Sequence, residues 1–404
     1  MLYRPEDFEP LTEEPWHAER IRAGIREIVA DTDVSFRGPK LLWRADEWDR
    51  WRATSPLKTL YCGSAGVVWA LDELRRRGHA ETALDLRDVA LRTLERQRSR
   101  PDWGTKALSA LPLPQPRESS LLCGEVGVLL AAYRLAPSDD LADTLLEHVR
   151  ANASNQVWEL MWGSPGTLLA ARLMHDWSGE ARWQAAWDDS ARALLDARDP
   201  DGMWTQWLYG YTDRVLGPVH GFVGNVLALS QRLDARALDV LERAANEVLV
   251  RYAIVEGGLA NWSPAVGEDL VHRTGIIRVQ WCHGAPGIVT SASGYLDEEL
   301  LLAGAELTWR AGGHGDERGS SLCHGTAGNG YALLKAFART GDERWLERAR
   351  RFAVHALAQM RRQRAERGRG RYSLFTGDLG VALYLADCLD ARTAFPVLDA
   401  DWAI

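Results

Sequence analysis

Two stretches of the chain set a thiol and an imidazole side by side just ahead of a glycine. One is Ser321-Leu322-Cys323-His324-Gly325-Thr326-Ala327-Gly328. The other, about forty residues earlier, is Trp281-Cys282-His283-Gly284-Ala285-Pro286-Gly287. Cys282 and Cys323 hold the same place in each, two residues before the first glycine of a Gly-x-x-Gly turn. Two such thiolates and one imidazole make the ligand set of a zinc site whose fourth position stays open. His324 and His283 are equivalent by position, and spacing alone leaves the imidazole ligand open between them. Zinc on thiolates is a weaker Lewis acid than zinc on three histidines, and it keeps a coordinated sulfur ionised and reactive. That favours sulfur chemistry over hydrolysis.

A third histidine, His220, stands in Leu216-Gly217-Pro218-Val219-His220-Gly221, ahead of another turn of the same kind. Imidazole titrates near neutral pH, so His220 is the candidate acid or base beside the metal. Glu159, within Trp158-Glu159-Leu160-Met161-Trp162, is a carboxylate in an apolar string. If buried it needs a partner, and orienting His220 is one such role; a solvated loop position is the other. Cys62, Cys123 and Cys388 read as small buried hydrophobes.

The elements that must position these groups are repeats. Gly-x-x-Gly opens an apolar run seven times: Gly63–Gly66, Gly124–Gly127, Gly163–Gly166, Gly221–Gly224, Gly284–Gly287, Gly325–Gly328 and Gly377–Gly380. One such match would be noise, but seven in one context are a repeat architecture. The apolar runs carry few charges on any face, so they predict helices buried nearly all round. Between them lie amphipathic segments at 81–97, 140–151, 181–197, 235–252 and 343–361. Alternation of buried and half-wet helices predicts an all-α fold, an α/α toroid forming a single domain. Residues 56–404 would form the toroid, with the metal site at one end, and residues 1–55, with a helix near 17–29, would pack on it as an extension. In such a ring the fourth, fifth and sixth turns are neighbours, which brings His220, Cys282 and Cys323 together. The glycines let backbones approach closely and permit unusual backbone angles at each helix start.

Of the 404 residues, 46% are hydrophobic and 26% charged, and the net charge is -8. This is the balance of a soluble globular protein and argues against a general nucleic-acid binder. The 18 tryptophans suit a large core or an aromatic-lined groove. Five cysteines without a disulfide framework point to a reducing compartment. The first residues lack the apolar core of a signal peptide, and no apolar run approaches the ~20 residues needed to span a bilayer. The expected location is the cytoplasm.

Trp281-Cys282-x-Gly-x-Pro-Gly with Cys323-His324-Gly325 and an upstream His220-Gly221 resembles the lanthionine synthetase C-like family, over nearly the whole chain. The resemblance implies an α/α toroid with Zn2+ at one end, held by Cys282, Cys323 and His324, and proton transfer by His220. It implies addition of a thiol to dehydroalanine or dehydrobutyrine in a peptide or protein. In bacterial members the thiol is the peptide's own cysteine, which closes lanthionine rings; in eukaryotic-type members it is glutathione. Glu159, where nisin-type cyclases carry an aspartate, and Tyr372-Ser373-Leu374-Phe375 before the last turn resemble the glutathione-using branch. Arg318, five residues before Cys323, matches a basic residue that holds the thiol there, and a guanidinium suits a carboxylate. Arg4 is a second residue for the same job. The competing expectations are a lanthipeptide cyclase and a non-catalytic peptide-binding scaffold stabilised by zinc.

Overall fold

The computed structural model describes residues 1–47, 49, 56–104, 112, 115–271 and 275–399. The expected boundary between residues 55 and 56 falls beside residues 50–55, which lie outside the described set, as do residues 400–404.

Each of the seven Gly-x-x-Gly turns opens a helix. These helices are Ser64–Arg76, Val126–Leu135, Ser164–Ser178, Phe222–Ser230, Ala285–Ala292, Thr326–Thr340 and Asp378–Asp390. They are buried as their composition requires: every residue from Val126 to Arg134 is buried, and so is every residue from Thr326 to Ala336. The helices between them are Leu86–Ser99, Asp139–Asn152, Ala181–Asp196, Ala235–Tyr252, Glu298–Ala311 and Glu343–Arg367. They bury one stripe only, as in Leu141, Ala142, Leu145, Leu146 and Val149. Most begin at a short polar side chain that accepts an amide of the first turn, namely Asp85, Ser138, Asp234, Asp297 or Asp342. The helix near the N-terminus runs from Ala18 to Val34.

The described residues gather into two compact units. One comprises Met1–Ile28, Arg214–Gly370 and the stretch beginning at Gly380; the other comprises the described part of Val29–Asp213 with Arg371–Leu379. The first unit holds the fourth, fifth and sixth turns. Its short strand Phe8–Glu9 pairs antiparallel with Gly313–His314, Phe8 opposite His314. Glu9 then receives Arg362 at 2.7 Å and the Gln359 amide at 2.8 Å, while Glu27 receives Arg361 at 2.7 Å. The N-terminal segment is thus fastened along the arginine-bearing helix Glu343–Arg367. The second unit holds the first three turns and is cross-braced by a buried Lys58–Asp102 pair and by Arg371 on Asp49 at 2.8 Å. Trp183, Trp204, Trp262 and Trp281 are fully buried, so these tryptophans serve the core.

Close approach explains the second glycine of five of the turns, Gly66, Gly127, Gly166, Gly287 and Gly328. A Cβ built on Gly328 would lie 1.7 Å from the Leu322 carbonyl oxygen, and one on Gly287 would lie 1.8 Å from that of Trp281. Real atoms do not come so near, so the chain passes over the helix start only where a side chain is missing. The unusual backbone angles that the glycines permit are not used at 63, 163 and 325, whose φ is negative. Gly284 alone of the first glycines caps its helix at φ 95°. Gly328→Ala is therefore expected to cost about 3 kcal/mol or more, because the clash is with backbone. Thermal denaturation of soluble protein reads this, and an unchanged midpoint would refute the packing argument.

Candidate metal and thiol site

Adjacent turns of the first unit touch through backbone. The Cys282 amide donates to the Cys323 carbonyl at 3.3 Å, and the Cys282 carbonyl packs where Gly217 leaves no side chain. The same contact recurs in the second unit, where the Tyr61 amide donates to the Leu122 carbonyl at 2.9 Å. Equivalent positions of neighbouring turns are thus placed next to each other by main chain, whatever their side chains. In the fifth and sixth turns those side chains are thiols. The fifth is further fixed by Asn261, whose Oδ1 accepts the first amide of the helix Ala285–Ala292 at 2.8 Å.

Cys282, Cys323 and His324 form a group whose ligand atoms all lie within 4.8 Å of one another. Both thiols are buried and the imidazole is half-buried. The Cys323 sulfur and His324 Nε2 are 3.6 Å apart. Bond lengths of about 2.3 Å to sulfur and 2.05 Å to nitrogen at a tetrahedral angle give roughly 3.6 Å for that edge. The donor set and this spacing fit a metal ion. The Gln280 side-chain amide donates to the Cys282 sulfur at 2.9 Å, a bond that suits a thiolate better than a thiol. Burial opposes ionisation of Cys282. The hydrogen bond with Cys323 and the nearby His324 and His283 outweigh it and hold the thiol well below its ordinary range.

A cleft of about 210 Å³ reaches Gln280, the residue whose amide donates to the Cys282 sulfur. Its wall is made by the segment Glu6–Phe8, by residues 276–280 and by the loop His314–Arg318.

The family profile described as lanthionine synthetase C-like protein matches residues 57–399. The chain belongs to that family. It is 29% identical over 335 residues to the protein named glutathione S-transferase LANCL1 of Danio rerio, covering 74% of this chain and 77% of that one. It is 34% identical to LanC-like protein GCL1 of Arabidopsis thaliana over 133 residues, 29% of each. Among solved structures, nisin cyclase superposes with a TM-score of 0.60 at 15% identity, covering 94% of this chain and 99% of that one. The fold class is therefore the expected α/α toroid, and the curated relatives accord with the eukaryotic-type branch of the lanthionine synthetase C-like family. Among the described residues, no helix is long and apolar enough to cross a membrane.

The remaining expected site residues are placed as follows. His220 and His283 face each other, with ring centroids 6.3 Å apart and planes tilted by 34°. His283 is driven down to about pKa 4, by burial first and then by Arg278 and the neighbouring histidines, with Cys282 opposing. His283 is not part of the metal-capable group. Glu159 is fully buried, which overturns the solvated-loop reading; its carboxylate accepts the amides of Met161, at 3.1 Å, and Trp162. Its visible work is to cap its own turn. Arg4 donates to the Gly275 carbonyl at 2.5 Å and pairs with Glu6 at 2.8 Å, so its charge is answered locally. Arg318 is half-buried in the cleft wall. Asp316, two residues before it in the chain, pairs with Arg362 at 2.7 Å. Cys62 and Cys388 are buried, as small hydrophobes should be, and Cys123 is half-buried.

Three polar residues at the site escaped sequence reasoning: Gln280, His314 and Asn329. Asn329 did leave a signal, since a polar side chain directly after Gly328 in an apolar helix needs buried partners. It donates to the Val279 carbonyl at 2.9 Å and lies 3.1 Å from His314 Nε2. Burial, then the Arg318 charge, takes His314 down to about pKa 3, against a smaller opposing effect of the Val279 carbonyl.

Two expectations follow. Elemental analysis should find metal lost from Cys323→Ala and His324→Ala but retained by His283→Ala; loss from all three would enlarge the ligand set. Buried neutral histidines also destabilise the fold in acid. A folded pKa of about 3 against about 6.5 unfolded means the unfolded chain binds the proton first as pH falls. His314 should therefore contribute stability that is complete above about pH 6.5 and declines by roughly 2 kcal/mol between pH 7 and pH 5. The slope of stability with pH should flatten in His314→Asn, and an identical slope would contradict the burial argument.

Proposed function

We propose that this protein adds a thiol to a dehydroamino acid residue of a peptide or protein, forming a thioether, with zinc held by Cys282, Cys323 and His324. The observation that carries the reading is the convergence of two buried sulfurs and one imidazole, with Gln280 joining Cys282 to a small polar cleft. Family membership and the name of the Danio rerio relative support it. Zinc bound to that donor set supplies a substrate thiol ionised at neutral pH.

The chain's own residues do the rest. Gln280 holds the Cys282 sulfur in its ionised form. The cleft positions the body of the thiol, with Arg318 offered to a carboxylate. The thiolate sulfur forms a bond to the β-carbon of the acceptor, and the π electrons of the double bond move toward the α-carbon and its carbonyl. His220 gives the α-carbon a proton, which it regains from solvent. His283 stays neutral beside His220 and so does not compete for that proton. Glu159 supports this end of the reaction by keeping the third turn in shape. Arg4 contributes by holding Gly275 and the Glu6–Asp7 wall in place.

The name of the Danio rerio relative favours addition of a small thiol such as glutathione over ring closure. Five free cysteines support work in the cytoplasm. Mass spectrometry of a dehydroalanine peptide incubated with glutathione and the zinc-loaded protein should show a gain of one tripeptide. Cyclisation of a cysteine-bearing dehydrated peptide with no uptake of glutathione would transfer the activity to lanthionine formation; no product from either would leave a scaffold. His220→Ala should keep its zinc and lose about 10²-fold or more in rate. Release of the metal by this variant would remove the proton-transfer role.

A further inference from the structure

The first unit holds a second cleft, of about 490 Å³. The N-terminal segment gives one wall, with Tyr3, Phe8 and Leu11, and the end of the helix Glu298–Ala311 gives the other, with Trp309. These four side chains are half-buried, so part of each stays accessible. Arg351, from the arginine-bearing helix Glu343–Arg367, completes the lining.

Three charged residues line this cleft, and two of them are answered. Glu9 receives Arg362 and Gln359 and lies 3.0 Å from His355 Nε2. Arg310 pairs with Glu306 at 3.0 Å. Arg351 is half-buried and pairs with no carboxylate among the described residues. Its Nη2 donates to the Thr12 carbonyl at 3.2 Å, a bond to a neutral acceptor. The guanidinium has thus given up part of its water without meeting a negative charge. A carboxylate would give it charge-assisted bonds, roughly twice as strong as neutral ones.

The place of the cleft says what that carboxylate belongs to. Both clefts border the two-stranded ribbon of Phe8–Glu9 with Gly313–His314. Phe8 lines both, and the walls pass from Gly312 in one to His314 in the other. Extended chain rises about 3.3 Å per residue, so a peptide with one residue at the first cleft has its flanking residues within reach of the second.

We propose that the second cleft is a docking subsite for the acceptor peptide: Arg351 takes the carboxylate of a glutamate or aspartate that flanks the dehydroamino acid, and Tyr3, Phe8 and Trp309 take an apolar neighbour. The proposal rests on the thiol-addition reading and narrows the acceptor class to segments that carry an acidic residue. The rings supply contact area, and the guanidinium sets the register of the peptide along it. Glu9, held by its own cation, does not turn the incoming carboxylate away.

The test uses zinc-loaded protein and a series of peptides with one dehydroalanine each. A glutamate, or a glutamine in its twin, stands about two to six residues away on either side. Binding is read by fluorescence anisotropy on the same peptides with alanine in place of dehydroalanine. Addition of glutathione is read by mass spectrometry. At the best position the glutamate peptide should bind about tenfold more tightly than its twin, and its KM should be lower by that factor at nearly the same kcat. Arg351→Gln should bring the ratio to about one. Arg351→Lys keeps the charge without the planar fork and should keep part of it. Salt at about 0.5 M should shrink the ratio in the parent. A residue that only tied down Thr12 would leave it unmoved. The subsite is overturned if glutamate and glutamine peptides bind alike at every position, or if the full preference persists in Arg351→Gln. If the parent prefers the glutamate peptide but adds no thiol to its dehydroalanine form, the subsite stands and the thiol-addition reading falls. If addition proceeds with equal KM for both twins throughout, that reading stands and the subsite falls.

Discussion

A main-chain hydrogen bond, from the Cys282 amide to the Cys323 carbonyl, is what the site is built on. It goes with turns that come down onto the start of their own helices over a glycine, Gly287 in the fifth and Gly328 in the sixth, so that their outer edges meet. The same bond joins Tyr61 to Leu122, where no ligand is present. The contact is therefore a property of the repeat, and chemistry was added by side-chain choice at two of its positions. Two thiols forty residues apart in sequence need no special loop to meet; the frame already sets them side by side.

This explains which parts were legible beforehand. The apolar runs and the seven glycine pairs are local signals, and each pair opened its helix. Cys282, Cys323 and His324 were legible because equivalence in the repeat carries spatial information that spacing alone lacks. Glu159 was misjudged in one of its two readings, because nothing local tells a buried turn cap from a wet loop; only its bonds to Met161 and Trp162 do. His314 was invisible for a different reason. Its surroundings come from residues 8, 279, 326, 329 and 359, and no period in the sequence links them.

The electrostatics of the site follow from burial acting on unlike groups. Desolvation drives His283 and His314 toward their neutral forms. It favours the neutral form of Cys282 as well, but there hydrogen bonds and neighbouring imidazoles prevail. The result is a sulfur-centred negative pole near two neutral rings, His283 and His314. Such an arrangement attracts a divalent cation and lets the imidazoles serve as dipoles rather than as competing charges. Arg318 stands apart from this, at the rim of the cleft.

The pairing of Phe8–Glu9 with Gly313–His314 joins the first few residues to ones made some three hundred positions later. During synthesis on the ribosome the early strand must wait, its hydrogen-bonding edge open and Phe8 without its stacking partner. The cleft wall can therefore close only when most of the polypeptide has emerged. A nascent chain is spared a half-built reactive pocket, since the last wall and the second sulfur arrive almost together.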